Sequence, residues 1–175
     1  MKVGIVGASE KKWTPIQKPQ AKVQIKRILI KEIELQINEG EYSNESSPKE
    51  IILVSGGCPE GGIDIWAEEI ADKLGIKKEI KLPFCTHSRC PRELFHNPKT
   101  ATLINENHYW IHHYQPRNIL IAEASDILYV ISPKSETIIP CKHCKIIGHK
   151  SNGGCWTMMY FKKHFPEKKG IEIVI

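Results

Sequence analysis

Ile51-Ile52-Leu53-Val54-Ser55-Gly56-Gly57-Cys58-Pro59-Glu60-Gly61-Gly62 is the stretch from which the fold class of this chain is read. Four apolar residues in a row, after a Ser-, Asn- and Glu-rich loop over 41–49, read as a strand buried on both faces. The two glycine pairs break that strand. Beyond them Ile63, Trp66, Ala67, Ile70 and Leu74 recur at helical spacing until Gly75 stops the pattern. Strand, glycine loop and helix in immediate succession form a βα unit. In such a unit, glycine backbone amides approach an anion closely, and the helix N-terminus adds about half a unit of positive charge.

The same alternation extends outward in both directions. Lys2 to Val6 is a short apolar strand ending at Gly7-Ala8-Ser9, and a helix over 19–40 carries Val23, Ile25, Ile28, Leu29, Ile33 and Ile37. A third strand over 79–82 stops at Pro83. A helix over 117–124 precedes a fourth strand over 126–131, and Gly153-Gly154 leads to a helix over 156–164 and a last strand over 171–175. Strands alternating with helices predict a Rossmann-like three-layer α/β sandwich, its sheet mostly parallel and of about five strands. Two long insertions, at about 84–114 and 132–152, interrupt an otherwise single domain of 175 residues.

Net charge is +5, but the lysines are scattered, so nucleic acid is allowed and not indicated. Charged residues interrupt every hydrophobic run, and the N-terminus enters a strand at once. We therefore expect a cytosolic protein without a membrane span or secretory signal. In that compartment six closely paired cysteines point to metal ligation rather than disulfides.

Two cysteine sets satisfy the tetrahedral four-ligand demand of a structural zinc. The preferred set joins Cys85 and Cys90 in one insertion to Cys141 and Cys144 in the other, and would staple both insertions. The alternative is Cys141, Cys144, His149 and Cys155, spaced C-x2-C-x4-H-x5-C. It ranks second because Cys155 falls in the late glycine loop, where its backbone is expected at the ligand. His108, His112 and His113, beside Tyr109, Trp110 and Tyr114, could meet a base, and His108 and His112, at i and i+4, could bind metal, but a polar helix face is the preferred reading.

One glycine loop is no more than a tight turn requires. Two of them ahead of helices, with Gly7-Ala8-Ser9 at a third strand end, predict a phosphate site at the C-terminal edge of the sheet. The dinucleotide fingerprint GxGxxG is absent after the first strand, which argues against a nicotinamide dehydrogenase.

Three segments resemble the SLOG superfamily, the Rossmann-like group that includes the DprA and Lonely-guy proteins, and most nearly its small YspA-like branch. They are Ser55-Gly56-Gly57-Cys58 through Asp64, then Arg117-Asn118 through Ser125-Asp126, and Gly153-Gly154-Cys155-Trp156-Thr157. The resemblance implies a nucleotide or nucleotide-derived ligand, with Arg117 as an anion-binding side chain and the best catalytic candidate. It also implies a homodimer as a common assembly. Relatives that cleave the N-glycosidic bond of nucleoside monophosphates carry a Glu three residues beyond the Thr of the late loop. Here Tyr160 stands in that place, and a phenol is no simple substitute for a carboxylate beside an oxocarbenium-like centre. The expected ligand residues are therefore Gly7, Ala8, Ser9, Ser55, Gly56, Gly57, Cys58, Asp64, Arg117, Asn118, Gly153, Gly154, Trp156 and Thr157. Binding as a sensor, sequestering or signalling protein ranks ahead of hydrolysis or transfer at a glycosidic bond, and ahead of a zinc-stabilised nucleic-acid module.

Overall fold

The computed structural model describes residues 1–42, 50–58, 60–83, 102–105, 108–111 and 114–175. The expected strands are all present as β1 (Lys2–Gly7), β2 (Ile52–Ser55), β3 (Lys77–Pro83), β6 (Ile127–Ser132) and β7 (Lys169–Val174). They pair in parallel in the order β3-β2-β1-β6-β7. Four helices connect or flank them: α1 (Gln17–Tyr42), α2 (Ile63–Lys73), α3 (Tyr114–Ala124) and α4 (Gly153–His164).

The first insertion corrects the sequence reading. It contributes β4 (Thr102–Asn105) and β5 (His108–Ile111), which add to the edge beside β3, with β5 parallel to β3 and β4 antiparallel to β5. His108 therefore lies on a strand, and the shared helix face expected for it and His112 does not exist; His112 itself lies outside the described residues.

Side chains alternate across the sheet as a strand dictates. Val3, Ile5, Leu53, Tyr129 and Ile131 pack with α1 and α2 on one face. Val6, Val54, Leu128 and Val130 pack with Ile121 and Ala122 of α3 and Met158 and Phe161 of α4 on the other. On α1 the buried stripe runs Ala21, Ile25, Ile28, Leu29, then Glu32 and Gln36. Val23 and Ile37, assigned to that face from periodicity, are instead 50% and 45% exposed. The true stripe continues through polar residues, which a hydrophobic pattern does not register; Glu32 accepts the Tyr129 hydroxyl.

Helix starts move for identifiable reasons. Helix α4 begins at Gly153 and not near Trp156, because Asn152 caps it by accepting from the Cys155 amide at 3.2 Å. Helix α3 begins at Tyr114, ahead of Pro116, since a proline in the first turn forfeits no intrahelical hydrogen bond.

The chain moves outward from β1 through β2 and β3, then returns to the opposite side of β1 as β6. Strand order thus reverses between β1 and β6. In open α/β sheets the C-terminal crevice at such a switch is where ligands bind. Here the N-termini of α2 and α4 both arrive at it. Gly7 permits this approach: a Cβ there would strike the Ile131 carbonyl and the Ile63 side chain, while one on Gly154 would stand 2.9 Å from Gly7 Cα. Trp13 pins the turn after β1 by donating from Nε1 to the Ala8 carbonyl at 3.1 Å.

Candidate functional site

A cleft of about 320 Å³ opens at the switch point. Gly7 and Ser9 from the end of β1 line it, with Cys58 and Asp64 from the first glycine loop and α2, Arg117 and Asn118 from α3, and Gly153 from α4. Lys12, Glu60 and Asn152 line it too, and the sequence reading missed these three. Asn152 had a signal, a cap residue directly before a helix-opening glycine pair. Lys12 had none.

Arg117 is the cation at the floor of the cleft, only 6% exposed. Its Nη1 donates to the Gly56 carbonyl at 3.1 Å, and its Nε and Nη2 donate to Asn118 Oδ1 at 3.2 and 3.0 Å. Nη1 also lies 3.9 Å from Asp64 Oδ2. A guanidinium held at three nitrogens keeps a fixed orientation, which suits a planar or tetrahedral oxyanion. Burial pushes the Asp64 carboxyl above its usual range, opposed by the charge of Arg117 and the amide of Gly7. Cys58 is also raised, first by burial and then by Asp64, so it stays a thiol at neutral pH.

The first glycine loop is arranged differently from expectation. Glu68 of α2 accepts the Ser55 hydroxyl at 2.6 Å and the Gly57 amide at 3.1 Å. A carboxylate of the protein thus occupies the amide that the loop was expected to offer an external phosphate. Ser55, Gly56 and Gly57 frame the cleft: Ser55 is fully buried, and Gly56 holds Arg117 through its carbonyl. Ala8, Gly154 and Thr157 are likewise part of the frame, Ala8 as acceptor for Trp13 and Ile63, Gly154 as the contact with Gly7, and Thr157 through a 2.9 Å bond to the Gly153 carbonyl. The first-turn amides of α4 lack intrahelical acceptors, and exposed Gly153 brings that end of the helix to the cleft wall.

A second cleft, about 500 Å³, adjoins the first and shares Asn118, Asn152 and Gly153 with it. Its further walls are Trp156 of α4 and Lys142, His143 and Ser151 of the second insertion.

Behind that wall lies a group of metal-ligating side chains. Cys141, Cys144, His149 and Cys155 place their ligand atoms within 4.8 Å of one another. The four described cysteines are free thiols. The insertion builds the cluster with a tight turn: the Cys141 amide donates to the Ile146 carbonyl and the Lys145 amide to the Cys141 carbonyl, both at 2.9 Å. Lys145 sits at φ 65° to close it. His149 Nδ1 lies 3.1 Å from the Lys150 carbonyl, and Nε2 faces Cys144 Sγ at 3.0 Å. An Nδ1–H donated to that carbonyl leaves Nε2 as the metal-binding nitrogen, the usual way a backbone acceptor orients a ligand histidine. Burial resists ionisation of Cys141, but the Ser151 hydroxyl and the Cys144 and His143 amides bring it down to about 7. Cys144 and Cys155 are raised, chiefly by burial. Three thiolates this close repel one another, and a divalent cation removes that repulsion.

The assembled set is the alternative of the two read from sequence. Cys141 and Cys144 belong to both sets, while Cys85 and Cys90 lie outside the described residues. The objection to Cys155 does not hold in the structure. Its amide is taken by Asn152, and its side chain, 1% exposed, turns toward His149 and Ser132. Three thiolates and one imidazole complete a tetrahedral donor set. No described helix is long and apolar enough to cross a membrane.

Comparison of the chain with protein-family models, with curated proteins and with solved structures finds no match.

Proposed function

We propose that this protein binds a nucleotide or nucleotide-derived ligand in the switch-point cleft, as a sensor, sequestering or signalling component. The observation that carries the reading is Arg117, a buried guanidinium held by Gly56 and Asn118 at the floor of a cleft whose wall is the N-terminus of α4. A fixed cation, Lys12 and a helix N-terminus line the same cleft, a combination that suits a phosphate group. The segments carrying Arg117, Asp64 and Gly153 are also those that resemble the SLOG superfamily, and the ligand class follows that resemblance. For the metal we propose zinc. Soft thiolates with one imidazole select it, and four protein ligands leave no open position for a catalytic water, so its role is structural.

The test is calorimetric titration of the purified protein with nucleoside mono- and diphosphates, paired with mass spectrometry of small molecules that co-purify. Binding that Arg117→Gln weakens by tenfold or more is the expected result. Unchanged affinity in that variant, or no nucleotide bound at millimolar concentration, rejects the reading.

One observation favours an enzyme as the second reading. Asp64 lines the cleft beside Arg117, and burial favours its protonated form. A carboxyl whose hold on its proton is strengthened by burial is a candidate general acid, here for the leaving base of a nucleoside phosphate. Chromatography for free base after incubation with nucleoside monophosphates tests this, and release abolished in Asp64→Asn establishes turnover over simple binding.

A further inference from the structure

We propose that the second cleft is the base subsite of the same ligand, and that the metal-binding turn forms one of its walls. The inference rests on the nucleotide reading above and extends it to the part of the ligand that a phosphate site does not recognise.

The two clefts are contiguous through Asn118, Asn152 and Gly153. A ligand anchored by its phosphate over Gly153 can therefore extend into this neighbouring space, which at about 500 Å³ is within the usual size of small-ligand sites. Its chemistry differs from that of the first cleft. Trp156 supplies an aromatic ring whose plane is set by stacking: it lies 5.7 Å from Tyr160 at 19°, and Tyr160 in turn lies 4.2 Å from His164 at 25°. A ring already ordered by its neighbours loses little entropy when a base stacks on it. Across the same cleft stand Lys142 and His143, which offer hydrogen-bond donors to the edge of a base.

Lys142 and His143 are the two residues between the metal ligands Cys141 and Cys144. Their positions follow from a turn that two backbone hydrogen bonds and the metal hold together. The fourth ligand, Cys155, precedes Trp156 directly, so the metal fixes both walls of the subsite from behind. Zinc in this arrangement touches neither phosphate nor base. It sets the spacing between Trp156 and the Lys142–His143 edge, and ligand affinity becomes linked to metal occupancy.

Two probes separate the subsites in the zinc-loaded full chain: inorganic pyrophosphate, which fills only the anion site, and the four common ribonucleoside diphosphates, which carry the same anion with a base attached. At least one diphosphate is expected to bind about tenfold more tightly than pyrophosphate, the worth of one base stacked on an aromatic ring. Trp156→Ala and Lys142→Ala should each reduce that advantage while leaving pyrophosphate binding unchanged, which also reports that the variants are folded. Chelation of the metal should reduce it as well. Equal affinity for pyrophosphate and all four diphosphates overturns the base subsite and leaves the anion site standing. An advantage that survives both substitutions and chelation overturns it too. Failure of both probes to bind removes the nucleotide reading and the subsite with it.

Discussion

Replacing Glu68 by Gln isolates the cost of burying a carboxylate behind the first glycine loop. In the folded chain Glu68 is pushed up from its ordinary 4.5 to about 7, chiefly by burial, with Asp64 adding to the rise and the Ser55 hydroxyl and Gly57 amide opposing it. In the unfolded chain it returns to its ordinary value. Between those two pH values the folded state keeps a proton that the unfolded state has released, so this residue's contribution to stability falls as pH rises through the window. At about 1.4 kcal/mol per pH unit, the full cost is about 3 kcal/mol, complete above pH 7. Gln is neutral, and its carbonyl can still accept from Ser55 and Gly57. Glu68→Gln is therefore expected to exceed the wild type by about 3 kcal/mol above neutrality and to converge with it below pH 4.5. Urea unfolding of both zinc-loaded proteins across this range measures the gap. Metal binding has its own pH dependence, but both proteins carry the same cluster, so the difference between the curves cancels it. A gap that stays constant with pH, or one that widens toward acid, refutes the reasoning.

Further outcomes follow from the same geometry. Protein purified without a tag should carry one equivalent of zinc by elemental analysis, and His149→Ala should lower metal affinity, because its three thiolates need water to complete the tetrahedron. Asn152→Ala removes the cap from α4 and should cost about 1 kcal/mol in thermal unfolding; the zinc affinity of the variant should fall with it, since Cys155 lies on the uncapped turn. Gly7→Ala drives a methyl into the Ile131 carbonyl and Ile63 and should cost about 1 to 3 kcal/mol by denaturant titration. Wild-type stability in that variant would mean that β1, α2 and α4 do not close as tightly as described.

Much of the architecture was legible because the apolar runs of β1, β2, β3 and β6 fall between glycine or proline stops, and periodicity distinguishes them from the helices between. The edge hairpin of β4 and β5 was not legible, because its strands are four residues each and carry no regular alternation. The α1 face was misread at Val23 and Ile37 for a related reason: its buried stripe ends in the polar residues Glu32 and Gln36, and the partner that Glu32 meets, Tyr129, comes from a distant strand.

Sequence alone determined that glycine loops precede α2 and α4, because local backbone chemistry dictates where glycine and helix starts fall; Arg117 was joined to them only through the family resemblance. It also offered Cys141, Cys144, His149 and Cys155 as one of two metal sets. Only tertiary structure decided that these four converge, since ligand distances depend on how the second insertion folds back onto α4. The tertiary fold likewise gave the Gly57 amide to Glu68 and brought Arg117 and Gly153 into one cleft. A spacing rule can propose donors, but which amide remains open to a ligand depends on side chains brought in from elsewhere in the chain.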